Sequence, residues 1–146
     1  MGMTDSEMDA HDRLTGIIAT LANLPSTNVV LVGDIMMDRY IHGFADNLNT
    51  RAPVPVLKET RREEAVGAAA HVARGLVSLG LNPCLFGVVG DDGAGVSVLE
   101  YLSEEGVNTD TISIVEGRTT TVKTRLLATR QNLVRDEQLM LRWDIE

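Results

Sequence analysis

Two aspartates follow a short apolar segment near the start of the chain. Residues 28–32 are predicted as a β-strand, Gly33 ends it, and Asp34 and Asp38 come soon after. Ligands bind at the carboxyl ends of strands in open α/β sheets, so these carboxylates are placed to accept hydrogen bonds from hydroxyl groups or to hold a cation. The alternative is that one of them caps a turn or a helix. The sequence leaves both interpretations open for Asp38 and for Asp34.

Small residues mark a second candidate site. Gly67 and Ala68 begin a predicted helix over residues 67–79, and His71 lies about one turn into it. Small side chains let a ligand approach the backbone, and a helix N-terminus offers free N–H groups with partial positive charge. The alternative is that the small residues serve close packing of the helix on a sheet, with His71 as a structural residue.

Three cations form the third candidate. Lys123, Arg125 and Arg142 lie in two alternating segments near the end of the chain, and a hairpin would place them on one face. Such a group is suited to an anion, for example a phosphate ester held by charge-assisted hydrogen bonds. The alternative is a solvated strand face on which Asp144 and Glu146 are their neighbours.

The elements that must position these residues alternate between strand and helix. The order predicts right-handed βαβ crossovers and an α/β fold, with residues 28–32 buried on both faces of a parallel sheet. The residues Gly90-Asp91-Asp92-Gly93 predict a turn in which an aspartate caps the next helix. The predicted helices are 11–24, ending at Pro25-Ser26, 67–79 and 94–105, and the predicted core strands are 28–32, 84–89 and 111–115.

A second, smaller sheet is predicted outside this core. Residues 39–64 mix charges, glycine and proline with apolar residues, which favours solvent-facing strands. The segments 119–129 and 139–144 predict an antiparallel hairpin around a polar loop at 130–138, extending the same sheet. Because the sequence stops directly after a strand, we expect an incomplete fold. Residues 1–27 are expected to form an N-terminal extension that contains a helix.

Composition narrows the functional classes. The chain has 146 residues, 44% of them hydrophobic and 3% aromatic, and a net charge of −8. This charge argues against nucleic acid and anionic membranes as partners, and no apolar run reaches the ~20 residues of a membrane span. One cysteine, Cys84, excludes an intrachain disulfide and is expected to be a small buried hydrophobe in a cytoplasmic protein. Neither a phosphate-binding P-loop nor a dinucleotide fingerprint is present, and no serine-hydrolase or zinc-protease motif occurs.

The sequence resembles the beginning of the ribokinase-like (PfkB) sugar kinases, and within that family it is most similar to the bacterial heptose 7-phosphate kinases. The resemblance extends from about residue 28 to the C-terminus. It is carried by seven segments in the family's order: 29–40 (VVLVGDIMMDRY), 52–56 (APVPV), 67–73 (GAAAHVA), 78–80 (SLG), 87–92 (GVVGDD), 121–125 (TVKTR) and 141–144 (LRWD).

The resemblance implies a doubly wound α/β fold with a β-sheet lid supplied by residues 39–64 and 119–144. It implies phosphorylation of a sugar hydroxyl by ATP, with Mg²⁺ as counter-ion, and it assigns the sugar hydroxyls to Asp38. The family's Gly-Gly pair and following asparagine fall on Gly67, Ala68 and His71, so the sequence departs from the pattern twice. In the resulting hypothesis Lys123, Arg125 or Arg142 holds the phosphate already on the sugar.

The resemblance also implies functions for a larger protein. The family's base, an aspartate in a Gly-Ala-Gly-Asp motif, is absent from these 146 residues, so we expect the chain alone to be inactive. A sugar phosphate and a second copy bound through the lid are the expected partners. The alternatives are a ribokinase-like kinase for another sugar or nucleoside, and a non-catalytic module that binds a sugar phosphate or dimerises through its lid.

Overall fold

The computed structural model describes residues 5–23, 27–129 and 137–146, and within these ranges the chain forms three helices and seven strands. The helices are α1 (Asp5–Ala22), α2 (Ala69–Ser78) and α3 (Gly93–Glu104). The strands are β1 (Asn28–Val32), β2 (Ile35–Leu48), β3 (Pro55–Ala68), β4 (Asn82–Gly90), β5 (Ile112–Val115), β6 (Thr121–Thr129) and β7 (Gln138–Ile145).

The core sheet consists of three parallel strands in the order β1-β4-β5. Helix α2 precedes β4 and helix α3 connects β4 to β5, which is the predicted strand–helix alternation. Alternate residues of β4, Leu85 and Val89, are fully buried in one cluster with Ala73 of α2 and Val98 of α3. One face of the core sheet is therefore packed under helices, and the α/β class is confirmed.

The other face of the core sheet is exposed within the described part of the chain. Val30 and Val32 of β1 are 69% and 75% exposed, and Phe86 and Val88 of β4 are exposed beside them. The prediction that β1 is buried on both faces was wrong, because α2 and α3 cover only one face. Cys84 belongs to the uncovered face as well, and it is half-buried instead of buried.

The lid sheet has four strands in the order β3-β2-β6-β7. Strand β2 is antiparallel to β3 and parallel to β6, and β6 is antiparallel to β7, so the predicted hairpin joins the predicted outlying sheet. The first two lid strands extend beyond the predicted range 39–64, because β2 already begins at Ile35 and β3 ends only at Ala68. Of the predicted loop at 130–138, residues 130–136 lie outside the described residues.

One aspartate connects the lid sheet to the core. The Asp92 carboxylate accepts hydrogen bonds from the backbone N–H of Gly95, in the first turn of α3, and from that of Thr120, just before β6, each at 2.8 Å. The Thr120 hydroxyl in turn accepts a hydrogen bond from the Gly90 N–H at 2.8 Å. Burial alone would raise the pKa of Asp92, but these backbone donors outweigh it and lower the pKa below its ordinary value. The predicted helix cap is thus Asp92, and it also fixes the start of a lid strand.

Helix α1 extends over most of the predicted N-terminal extension. Its apolar stripe, formed by Leu14, Ile17, Ile18 and Leu21, is exposed. The predicted stop at Pro25-Ser26 lies outside the described residues. None of the helices in the described ranges combines the length and the apolar character required to cross a membrane.

Candidate functional site

Asp38 lies on the face of the lid sheet that carries the predicted cations. Its carboxylate is 20% exposed and accepts a hydrogen bond from Arg125 Nη1, with 2.5 Å between Nη1 and Oδ1. The Arg125 guanidinium also lies 5.1 Å from the centre of the Tyr40 ring, a cation–π distance. The bond to Asp38 raises the pKa of Arg125 above its usual value, with a smaller contribution from the charge of Asp38. Two neighbouring strands thus hold the carboxylate in one orientation.

Gly67 gives Asp38 the space it occupies. A Cβ atom at Gly67 would lie only 2.5 Å from Asp38 Oδ2 and 3.0 Å from Cγ of Met36. The two residues that were predicted to start a helix, Gly67 and Ala68, instead end strand β3, and α2 begins at Ala69. The reason is that strand pairing with β2 continues as far as Ala68, which pairs with Ile35. Gly67 and Ala68 are therefore part of the strand and not of the helix.

Ala68 has a backbone conformation that side chains rarely adopt. Its φ is +51° and its ψ is −127°, and it is the one non-glycine residue with positive φ in the described ranges. A Cβ atom in this region is strained, whereas glycine adopts it freely. Directly after it, the Ala69 N–H donates to the Asp34 carbonyl oxygen at 3.0 Å, which joins the start of α2 to the end of β1. His71, one turn on, is exposed.

A cavity of about 590 Å³ lies beside the starts of β2 and β6. Of the residues predicted for the site, Asp34 and Lys123 line it, whereas Asp38, Gly67, Ala68, His71, Arg125 and Arg142 do not. Residues missed by the sequence analysis complete the lining: Met36, Gly117, Arg118, Thr119, Thr121 and Glu146. The alternation of β6 already placed Thr121 on the face of Lys123, but no pattern singled out Arg118.

The predicted cations share one face and already have acidic partners. The register sets Lys123 opposite Asp144 and Arg125 opposite Arg142. Lys123 Nζ lies 3.2 Å from an oxygen of Asp144 and 3.2 Å from one of Glu146, and Arg142 lies 3.1 Å from Asp144. Both the shared face and the acidic neighbours named in the alternative interpretation are therefore present.

These ion pairs shift the titration of their members. Hydrogen bonds to Glu146 and then to Asp144 raise the pKa of Lys123. Desolvation would raise the pKa of Asp144, but the hydrogen bond from Lys123 and the charge of Arg142 outweigh it and lower that pKa. The lysine is cationic and the aspartate anionic at neutral pH.

The described residues hold no group of three or more His, Cys, Asp or Glu side chains placed to bind a metal ion. Mg²⁺, the counter-ion implied by the resemblance, is usually held by one or two carboxylates together with nucleotide phosphates, and we assign none of the described residues to it. What the site offers is carboxylates for hydroxyl groups and cations for an anion.

Comparison with known families and sequences places these features in context. The model of the pfkB family carbohydrate kinases matches residues 26–144. A D-beta-D-heptose 7-phosphate kinase of Bordetella bronchiseptica is 46% identical over 107 residues, which are 73% of this chain and 34% of that protein. The bifunctional protein HldE of Paramagnetospirillum magneticum is 38% identical over 125 residues, 86% of this chain and 26% of that protein. The chain thus spans about a third or less of the length of these relatives.

Solved structures show the same fold. A ribokinase of Arabidopsis thaliana, complexed with ribose and ATP, superposes with a TM-score of 0.60 at 20% identity, covering 84% of this chain and 36% of that one. A carbohydrate kinase from Agrobacterium tumefaciens gives 0.61 at 20% identity, covering 82% and 35%. The core sheet and lid sheet are therefore those of the ribokinase fold, of which this chain represents a part.

Proposed function

Because the chain belongs to the pfkB family of carbohydrate kinases, we propose that it forms the acceptor-binding and lid part of an ATP-dependent kinase for heptose 7-phosphate. The similarity to the Bordetella bronchiseptica heptose 7-phosphate kinase supports the choice of sugar. The packing of Asp38 against Gly67 is the observation that carries the proposal. Together with the Arg125 hydrogen bond it fixes a carboxylate on the lid face, in register with Lys123, which lines the cavity.

In this proposal Asp38 orients the sugar. Its carboxylate accepts hydrogen bonds from sugar hydroxyls, and the hydrogen bond from Arg125 holds it in place. Gly67 leaves the space that the Asp38 carboxylate occupies, and Ala68 and His71 are exposed. The ligand would lie between the lid face and the carboxyl end of the core strands, where α/β sheets bind ligands.

The chemistry of phosphoryl transfer is assigned to the remainder of a longer protein. In such a reaction the sugar hydroxyl would attack the γ-phosphoryl group of ATP, a base would take the hydroxyl proton, and ADP would leave. The Gly-Ala-Gly-Asp motif that carries the base in this family is absent from these 146 residues. We therefore expect the chain to bind the acceptor sugar but to consume no ATP when the sugar is added.

Calorimetric titration of the chain with heptose 7-phosphate tests the proposal. Asp38→Asn keeps the shape of the side chain but removes its charge, and we expect it to weaken binding about tenfold or more. Asp110→Asn removes the same charge from an exposed aspartate outside the cavity and should leave binding unchanged. If the wild-type chain fails to bind the sugar phosphate, or if Asp38→Asn binds as well as wild type, the proposal is wrong.

A panel of acceptors separates the proposed substrate from other members of the fold class. Ribose, fructose, a nucleoside and unphosphorylated heptose would be titrated beside heptose 7-phosphate. A site with a built-in place for phosphate rejects ligands without it, because its cations are left unpaired. Tighter binding of ribose or of the nucleoside would assign the chain to a kinase for that compound instead.

We also propose that two copies pair through the lid. Strand β7 is an edge of the lid sheet and exposes four large apolar side chains, Leu139, Met140, Leu141 and Trp143. Exposed apolar edge strands readily pair with another copy. Leu141→Lys should convert a dimer to a monomer in sedimentation equilibrium, and Leu14→Lys, at an equally exposed leucine of α1, should not. A monomeric wild-type chain would exclude the pairing.

A further inference from the structure

Arg118 is a cation of the cavity that has no acidic partner in the described part of the chain. The three predicted cations, Lys123, Arg125 and Arg142, each have a carboxylate within 3.2 Å. Among the residues that the structure describes, the Arg118 guanidinium is in no ion pair or side-chain hydrogen bond. Arg118 is exposed and lines the same cavity as Lys123. An exposed guanidinium without a protein partner is available to an anionic ligand.

The backbone that carries Arg118 is held on both sides. Gly117 precedes it in a left-handed turn, with φ +74°, and the Arg118 N–H donates to the carbonyl oxygen of Val115 at 3.3 Å. Two residues later, Thr120 is fixed by Asp92. The chain also passes so close to Gly90 that a Cβ there would clash with the Arg118 carbonyl oxygen. The backbone position of Arg118 at the cavity is therefore fixed.

The remaining lining separates into groups for a phosphate and groups for hydroxyls. Lys123 and the hydroxyls of Thr119 and Thr121 lie with Arg118 around the cavity, and all of them can donate to phosphate oxygens. The carboxylate oxygens of Asp34 and Glu146 accept hydrogen bonds, so they suit the hydroxyl groups of a ligand. This combination fits a ligand that has both kinds of group.

We propose that Arg118, with Lys123, binds the phosphate group that the sugar carries before the reaction, which makes Arg118 a specificity-determining residue. The inference rests on the proposed function. Lys123 can join because Glu146, one of its two partners, is 66% exposed and its ion pair is displaced at little cost. Arg125 and Arg142 do not line the cavity, so the phosphate clamp expected from the sequence moves from these residues to Arg118.

The test compares two ligands and three variants by calorimetry. The ligands are heptose 7-phosphate and the same heptose without phosphate. Arg118→Gln should weaken binding of the sugar phosphate roughly tenfold or more and change binding of the free sugar less than about twofold. Arg118→Lys should recover part of the loss, since it restores the charge but not the two-pronged geometry. Arg51→Gln, which removes another exposed arginine outside the cavity, should behave as wild type.

The possible results separate a failure of the Arg118 assignment from a failure of the proposed function. Equal binding of heptose 7-phosphate by Arg118→Gln and wild type, or an equal loss for both ligands, would overturn the phosphate assignment while leaving the sugar site in place. Failure of the wild-type chain to bind either ligand would remove the proposed function and the inference together. Circular dichroism of Arg118→Gln checks that the fold is retained, and partial rescue by Arg118→Lys excludes a general structural effect.

Discussion

The Asp38 carboxylate occupies the place that a side chain at residue 67 would need. Oδ2 would be 2.5 Å from a Cβ at Gly67, while Oδ1 accepts the Arg125 hydrogen bond from the opposite strand. One carboxylate is thus enclosed by β3 and β6, on either side of the strand that carries it. The absence of a side chain at Gly67 is therefore a condition for the orientation of Asp38.

Gly67→Ala should displace this carboxylate. The new methyl group meets Asp38 and Met36, and relief requires a shift of strand β3 or loss of the Arg125 hydrogen bond. We expect a loss of about 1–3 kcal/mol in the free energy of unfolding, as for other overpacked sites. Urea denaturation followed by the fluorescence of Trp143, the chain's single tryptophan, measures it.

Gly75→Ala is the matched control for that substitution. Gly75 lies within α2, and no atom is within 4 Å of the position its Cβ would take. Alanine is the better helix former by about 1 kcal/mol, so this variant should be more stable than wild type. Similar effects of the two substitutions would contradict the steric argument at Gly67.

Ala68→Gly should stabilise the chain. The positive φ strains Ala68 in the folded chain by roughly 1–3 kcal/mol, and glycine removes this strain. The greater freedom of glycine in the unfolded chain lowers stability by about 0.4–1 kcal/mol, which is less. We expect a net gain of about 1 kcal/mol in the free energy of unfolding, measured by urea denaturation. Ala73→Gly, in the regular part of α2, should instead destabilise by about 1 kcal/mol or more. A loss of stability on Ala68→Gly would show that the strain is absent.

The Asp38–Arg125 pair should show measurable coupling. Both side chains are mostly shielded from solvent, so their interaction is screened less than that of a surface pair. A double-mutant cycle with Asp38→Asn and Arg125→Gln should give a coupling of about 0.5–1 kcal/mol in unfolding free energy. The Glu59–Arg62 pair, which lies within one strand and is more exposed, is the control and should show weaker coupling. Additive effects of Asp38→Asn and Arg125→Gln would exclude a positioning role for Arg125.

The contribution of Asp92 to stability should depend on pH. Its pKa is lowered in the folded chain, so the stabilisation is present above the ordinary aspartate pKa of about 3.9 and is lost as the pH falls through the folded value. At pH 7, Asp92→Asn should cost about 1 kcal/mol, as for the loss of a helix cap. Below pH 4 the difference between the two proteins in the free energy of unfolding should become smaller. Asp91→Asn, at the exposed neighbour, is the control, and a difference that stays constant with pH would contradict the assignment.

Local patterns predicted much of this arrangement. The period-two alternation of β6 and β7 placed Lys123, Arg125 and Arg142 on one face because residues two apart in a strand necessarily share a side. The prediction of the helix cap was equally local. The first N–H groups of a helix need an acceptor, and the aspartate that precedes α3 supplies one. Such features depend on a few consecutive residues.

Features that depend on distant partners were predicted less well. Burial of β1 required a helix on each face of the core sheet, and the strand sequence could not specify how many helices cover it. Gly67 and Ala68 suited either a helix or a strand, and pairing with β2 decided between them. Arg118 precedes a strand without any periodic signal, and only the loop's contacts with Gly90 and Asp92 place it at the cavity.

The uncovered face of the core sheet also has a consequence in solution. Its valines and its phenylalanine are exposed to water and can bind other apolar surfaces. A dye that fluoresces on apolar surfaces should therefore fluoresce when it is mixed with this chain. Ammonium sulfate favours the burial of apolar groups, so a low concentration of this salt should already precipitate the chain.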